Sequence, residues 1–527
     1  MLKIEIVEFR RAAVLAILTG CFLFGAAALA AAANSNPTVS IAAGQVQGRL
    51  LPGGAGAVFR GLPFAQPPVG PLRWREPQPV TPWKGVRDAG ESRPPCAQNS
   101  SGWNAKEAAA SREDCLHLDV WMPQWPSKSP KTVMLWLHGG GNTGGAGASD
   151  PLYEGTSLIS HGVVLVIADY RLGIFGFLAH PELTRESPHH SSGNYAFLDQ
   201  IAALQWVHDN IAQFGGDPRN VTVFGQSAGS MDLSVLMTSP LSRGLFHRAI
   251  AESGAAGRAT PLADAEQAGQ RTAGTLKAPA EEALAYLRSL STADLLRGGR
   301  GGTGAVLDGY LFDSDPSAVF AASKALPIPL LIGSNAIEMS DAGSPDALRA
   351  TIQARYRDLA PKALALYGVA SPGDKGSIDP VYGGPNDQWG ADIGFRCPGI
   401  LQGEEHAAAG FPVWEYQFDR AIPPKPNVVH SGELAYVFGN LRPTGSQAGE
   451  FGEADRKLSA AIQKYWTNFA KTGDPNGAGV PNWPKYDATS RKFMEFTRAG
   501  ELAVNENQRR AFCEVFAEAE KASRANR

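Results

Sequence analysis

The chain has 527 residues, 43% of them hydrophobic and 19% charged, which is the composition of a large globular protein with ample core. A formal net charge of −3 leaves no basic surface for nucleic acid. The first residues stand apart from the rest. Arg10-Arg11 precede an apolar run, Ala12 to Ala33, that becomes rich in small residues. This pattern reads as a signal peptide over 1–33, with Ala31-Ala32-Ala33 before a cut at Asn34. Ala28-Leu29-Ala30 is a second option, and Leu18-Thr19-Gly20-Cys21 a less favoured lipoprotein box. The expectation is an exported protein, periplasmic or secreted, with no span left after signal removal.

Residues 59–83 are so rich in proline that helix and interior strand are excluded, and a loop pinned by aromatics is expected. Glu113 to Val120 alternates like a strand. Val133 to Leu137 is a continuous apolar run, as in a strand covered on both faces, and His138-Gly139-Gly140-Gly141 follows it. Val163 to Ala168 is another such strand. Phe197, Ile201, Leu204, Val207 and Ile211 recur at helical spacing, with Gly215 as C-cap. Thr222-Val223-Phe224 makes a short strand, Gly225-Gln226-Ser227-Ala228-Gly229 follows, and Met231 to Met237 reads as a helix. Arg248 to Glu252, Ile328 to Ile332 and Val413 to Phe418 add strands. Leu458, Ile462, Tyr465 and Phe469 mark a helix ending near Gly473. Strands alternating with helices give an α/β fold with a mostly parallel central sheet and helices on both faces. The Ala-rich helical stretches 255–325 and 340–410 read as cap insertions within one domain, 34–527.

Removing the leader leaves Cys96, Cys115, Cys397 and Cys513. An even count in an exported chain suggests two disulfides. Three pairings are open. Cys96–Cys115 closes the shortest loop and would leave Cys397–Cys513; the alternative is four buried thiols. Of the two sequons, Asn220-Val221-Thr222 begins a strand, a poor place for a glycan.

The chemistry centres on Ser227. A strand turning at once into a helix presents the middle residue of Gly-x-Ser-x-Gly at an exposed tip, and Gly225 and Gly229 remove side chains that would collide. A serine nucleophile needs a base and a group to orient it, in the chain order Ser, acid, His. Only His406 and His430 come late enough. His406 lies in Glu404-Glu405-His406-Ala407-Ala408 and reads as a solvated helix residue; His430 follows a rigid Pro-rich loop and is preferred. Glu338 is the first acid after the 328–332 strand, with Asp341 and Asp308 as rivals. The backbone N–H groups of Gly140, Gly141 and Ala228 can form an oxyanion hole, each donor worth about 3–4 kcal/mol in the transition state.

These residues bring a family into view. From about Pro37 to the C-terminus the chain resembles the type-B carboxylesterases, which include cholinesterases and bacterial p-nitrobenzyl esterases. The matching pieces are Gly61-Leu62-Pro63-Phe64-Ala65, Glu113-Asp114-Cys115-Leu116, His138-Gly139-Gly140-Gly141, Tyr170-Arg171-Leu172-Gly173, Phe214-Gly215-Gly216-Asp217-Pro218 and the Ser227 elbow. Gly333-Ser334-Asn335 with Glu338, and His430 with Glu433 and Val437-Phe438-Gly439, complete the set. The resemblance implies an α/β-hydrolase fold, a small-molecule ester substrate and no cofactor. It also implies a Ser227–Glu338–His430 triad, an oxyanion hole at Gly140, Gly141 and Ala228, and both disulfides named above. Three residues depart from the pattern. Gln226 stands where most members carry Glu, Asn142 follows the glycines where many have an aromatic, and Met339 follows Glu338 where glycine is usual. Asn142 is therefore expected to reshape the acyl pocket.

Two other functions compete. Gly139-x-Gly141-x-x-Gly144 with Asp169 matches a nicotinamide-dependent oxidoreductase fingerprint, but Thr143 to Pro151 does not read as the helix it needs. A catalytically silent, cholinesterase-like binding protein would usually lack part of the triad. No zinc motif of the His-Glu-x-x-His type is present.

Overall fold

A computed structural model describes residues 36–299, 301–340, 343–422, 425–441 and 450–525. The signal peptide expected over 1–33, its Cys21, and the rival acid Asp341 lie outside the described residues.

Eleven strands form the central sheet: β1 (Arg49–Leu50), β2 (Ala57–Pro63), β3 (His117–Met122), β4 (Lys131–Leu137), β5 (Val164–Ala168), β6 (Gly216–Gln226), β7 (Arg248–Glu252), β8 (Leu330–Asn335), β9 (Val413–Phe418), β10 (Lys492–Phe496) and β11 (Leu502–Glu506). Their order in space is β11-β10-β9-β8-β7-β6-β4-β5-β3-β2-β1. The centre, from β10 through β5, is parallel, and both edges are antiparallel. A parallel centre needs cover on both faces, and the strand sequences supply it. Val133, Leu135, Val223, Ala249 and Ile332 face one apolar cluster; Met134, Trp136, Phe224, Ile250 and Trp414 face the other. The period of two along each strand makes this division.

Helix α1 (Tyr195–Asn210) covers the first face with Phe197, Leu204 and Val207. A short 3₁₀ turn follows, and Gly215 closes it at φ 72°. Helix α4 (Glu453–Thr472) covers the second face with Leu458, Ile462, Tyr465 and Phe469, and Gly473 caps it at φ 81°. Between them in sequence lie α2 (Ala228–Leu236), directly after β6, and α3 (Cys397–Ala408). The last helix is α5 (Arg510–Ala525).

Residues 262–298 hold three helices that pack around Trp74, Phe175 and Tyr195. Helices Pro345–Tyr356 and Ala360–Tyr367 pack with Val515 of α5. Cys397–Cys513 joins α3 to α5, and Cys96–Cys115 closes the loop before β3. Arg73 binds these outer pieces together. It grips Glu113 with two bonds of 2.7 Å and donates to the carbonyls of Leu287, Arg288 and Leu290. A buried bidentate pair of this kind fixes geometry more than it adds stability.

Three expectations change. Phe59 to Pro63 is not loop: it belongs to β2, an interior strand paired with β3 on one side and β1 on the other. Pro63 is the last residue of that strand and its only proline, and the register shifts between Phe59 and Leu62, so the ladder survives. The strand expected at Ile328 to Ile332 runs instead from Leu330 to Asn335, because β9 pairs with it as far as Asn335–Phe418. His406 is not solvated. It is 1% exposed, its Nε2–H donates to the Ile328 carbonyl at 2.8 Å, and Phe320 and Phe411 flank its ring. Gly399 and Gly403 let α3 settle against Ile332 of β8, and that seat turns His406 inward.

His406→Ala should therefore destabilise the fold by about 2–4 kcal/mol, the sum of a lost buried hydrogen bond and a cavity. His406→Gln, which can keep a donor to Ile328, should recover part of this. Urea unfolding followed by circular dichroism checks both; an unchanged midpoint in the alanine variant would return His406 to the surface.

Candidate active site

β6 ends at Gln226 and α2 begins at Ala228, so Ser227 alone makes the turn, at φ 56° and ψ −122°. Such a backbone is strained for a residue with a side chain. Two hydrogen bonds hold it: Ser227 N–H to the Glu252 carbonyl and Met231 N–H to the Ser227 carbonyl, both 2.9 Å. Close approach does the rest. A Cβ at Gly229 would lie 2.1 Å from the Leu137 carbonyl oxygen, and one at Gly225 2.6 Å from that of Gly229. A Cβ at Gly254, which the sequence reading did not single out, would lie 2.6 Å from the Ser227 carbonyl oxygen. The Ser227 hydroxyl makes no capping bond to α2 and is free to face outward.

It meets His430. Ser227 Oγ is 2.8 Å from His430 Nε2, and His430 Nδ1 is 2.6 Å from Glu338 Oε2. A carboxylate facing Nδ1 keeps the ring proton there, so Nε2 presents its lone pair to the hydroxyl. Phe395 packs against the imidazole with ring centres 4.7 Å apart.

Glu338 follows β8 by three residues. Its Oε1 accepts from Asn335 N–H at 2.7 Å and from Ser253 Oγ–H at 2.6 Å. Asn335 also holds the segment that carries His430: its side-chain amide donates to the Val429 carbonyl at 3.0 Å, one residue before His430. The same amide donates to Glu433 at 2.6 Å. Burial first, and then the neighbouring Glu338, raise Glu433 to a pKa of about 7. Met339 is 58% exposed and takes no part in seating Glu338.

The glycine loop closes the other side. A Cβ at Gly139 would stand 3.0 Å from Ser227 Cβ and 2.8 Å from Gln226 Oε1, so the loop lies directly on the elbow. Gly140 sits at φ 116° and Gly141 at φ 63°. A Cβ on Gly140 would fall 2.0 Å from the Gly144 carbonyl oxygen. His138 anchors the loop from below. It stacks on Tyr170, donates to the Gly139 carbonyl at 2.7 Å, and burial lowers its pKa to about 4, keeping it neutral. Trp103, 58% exposed, reaches over the loop from the Cys96–Cys115 segment.

Gln226 faces the site, with its amide nitrogen 3.3 Å from His430 Nε2. Asn142 turns into the interior. Its amide donates to Asp232 and to the Thr303 carbonyl, both at 2.9 Å, and it is buried among them. Asp308, the rival acid, accepts from Asn194 and from the N–H groups of Tyr310, Leu311 and Phe312, which makes it a turn anchor. The dinucleotide reading fails on geometry. Gly140 to Gly144 is a turn packed against Asn104, with no helix N-terminus to receive a phosphate, and Asp169 is occupied by Gly147 N–H at 2.7 Å.

Sequence reasoning missed Ser253 and Gly254 as parts of this site, and quoted Asn335 only within a family match without its role. Ser253 carried one weak signal, its place at the end of a buried strand beside the elbow strand.

Comparison with known proteins places the chain in a family. The profile of the Carboxylesterase family matches residues 35–361 and 386–516. Fumonisin B1 esterase of Sphingopyxis macrogoltabida is 36% identical over 498 residues, covering 88% of each chain. A medium-chain fatty acyl-CoA hydrolase precursor of Anas platyrhynchos is 36% identical over 500 residues, covering 86% of each. Among solved structures, a PNB esterase superposes with a TM-score of 0.80 at 32% identity, covering 91% of this chain and 99% of its own. The chain belongs to the carboxylesterase family and is a serine hydrolase of carboxylic esters with the α/β-hydrolase fold.

Proposed function

We propose that Ser227 is the nucleophile of this hydrolase, His430 its general base and acid, and Glu338 the acid that orients the imidazole. The observation that carries the reading is the unbroken chain Ser227 Oγ–His430–Glu338, at 2.8 and 2.6 Å. Ser227 Oγ attacks the ester carbonyl carbon while its proton passes to His430 Nε2. The oxyanion forms against the amides of Gly140, Gly141 and Ala228, the last being the first helical N–H of α2 and without an intrahelical partner. The tetrahedral intermediate collapses, the alcohol leaves with the Nε2 proton, and an acyl-Ser227 remains. Water then repeats the cycle and releases the acid. Glu338 holds the imidazole in place and stabilises the imidazolium. A silent binding protein would need none of this alignment.

The electrostatics set the pH range. Burial pulls the His430 pKa down, but the hydrogen bond and charge of Glu338, with Glu433 behind it, outweigh burial and raise it above the ordinary histidine value. The base works neutral, so kcat/KM should rise with pH through that elevated value. The Gln226 amide acts in the opposite sense, since an N–H aimed at Nε2 favours the neutral ring.

The described residues contain two disulfides and no helix long and apolar enough to cross a membrane. We propose export by the 1–33 signal, with cleavage before Asn34.

Three outcomes are expected. Ser227→Ala should lower kcat on p-nitrophenyl acetate by about four to six orders of magnitude with the fold intact; near-normal turnover would remove Ser227 from the mechanism. Gln226→Glu should move the acidic limb of kcat/KM to higher pH, because a carboxylate beside Nε2 favours the imidazolium; a limb that stays put would place residue 226 outside the site's field. Protein exported by its own signal should titrate no thiol after denaturation without reductant, and four reactive thiols would refute both the bridges and the export.

A further inference from the structure

A cavity of about 520 Å³ opens beside α2. Ser227, His430 and Glu338 are not in its lining, but its walls continue the segments that touch them. Met231 lines it, and Met231 N–H donates to the Ser227 carbonyl at 2.9 Å. Ala255 lines it, and a Cβ on the preceding Gly254 would lie 2.6 Å from that same carbonyl oxygen. Ile393 and Gly394 line it, and the next residue is Phe395, packed on the His430 ring.

Phe320, Leu401 and Phe516 make the interior apolar, while Arg258, Arg355 and Arg524 bring charge to it. Arg258 and Arg355 share one carboxylate, Glu520, at 2.7 and 3.3 Å; Arg524 pairs with Glu405 at 2.6 Å. Three guanidinium groups thus meet two carboxylates. The remaining polar side chains of the lining, Ser317, Gln402 and Ser523, are uncharged. Each guanidinium has five N–H donors in a fixed fork, more than one shared carboxylate can take up. The Arg258 and Arg355 side chains are 33% and 37% exposed, so they meet solvent at the rim.

We propose that this cavity selects esters carrying a second, ionised carboxylate, which Arg258 and Arg355 receive. The apolar interior then carries the linking methylenes, and the scissile carbonyl lies at Ser227. The inference rests on the Ser227-centred hydrolysis proposed above. Arg258 is four residues beyond Gly254, so at most about 14 Å of chain separates it from the residue packed on the Ser227 carbonyl. Glu520 opposes the incoming anion by charge and by occupying both arginines.

The carboxylate can belong to the acyl or to the alcohol part, and paired substrates separate the two. Monoethyl adipate against diethyl adipate reads the acyl side; 6-acetoxyhexanoate against its methyl ester reads the alcohol side. The readout is the ratio of kcat/KM for the anionic member over the neutral one. The enzyme should favour the anion in one pair. R258Q combined with R355Q should lower that ratio about 5- to 10-fold, as expected for partly exposed charge pairs, and E520Q should raise it. Opposite signs separate charge recognition from a damaged fold, which lowers both members together. Ratios below one in both pairs, or ratios indifferent to these variants, would overturn the proposal; turnover of the neutral esters in that case leaves the Ser227 reading standing. Failure to hydrolyse any of the four esters would overturn that reading and this one with it.

Discussion

The catalytic end of this protein depends on one contact distance, the approach of α2 to the end of β4. Gly229 packs so close to the Leu137 carbonyl that even a methyl group is excluded. That approach lets β6 turn into α2 within a single residue and holds Ser227 at φ 56°. Strain of this kind costs about 1–3 kcal/mol and persists only where the surroundings over-determine it. Here they include the Glu252 and Met231 hydrogen bonds, and glycines at 225 and 254 that leave no room to relax. The same closeness brings the glycine loop after β4 onto Ser227 Cβ, so Ser227 and the Gly139–Gly141 loop are positioned by one packing event.

A second constraint is the placement of buried acids beneath one imidazole. Glu338 is spent on three donors: Asn335 N–H, Ser253 Oγ–H and His430. Burial raises both Glu433 and Glu252, the latter accepting from Trp466 at 2.7 Å. Two acids held towards their neutral forms lessen the charge that would otherwise crowd the site. Gln226, neutral by composition, continues that pattern on the Ser227 side. Asn335 couples the arrangement mechanically, since one residue fixes both Glu338, through its backbone, and the loop that carries His430, through its side chain.

Much of the site was legible because its information is local. A strand, Gly-x-Ser-x-Gly and a helix occupy neighbouring residues, and the turn they require is a matter of backbone sterics. Chain order and a proline-rich approach then separated His430 from His406. The same local reasoning failed for Phe59 to Pro63, where the one proline of the strand falls at its end and the others follow it. It failed again for His406, whose acidic helical neighbours suggest water while the seat of α3 on β8 turns the ring inward.

The sequence by itself determined the alternation of strands and helices and pointed to Ser227, His430 and Glu338, because apolar periodicity and turn chemistry act over a few residues. Only the tertiary structure decided what surrounds them. Ser253 reaches Glu338 across 85 positions and Asn335 reaches Glu433 across 98, and Asn142 turns away to an aspartate 90 residues on. Nothing in a one-dimensional pattern encodes such contacts. They arise when parallel strands set distant loops side by side at one end of the sheet, and each buried polar group must then find its partner among whatever has been brought there.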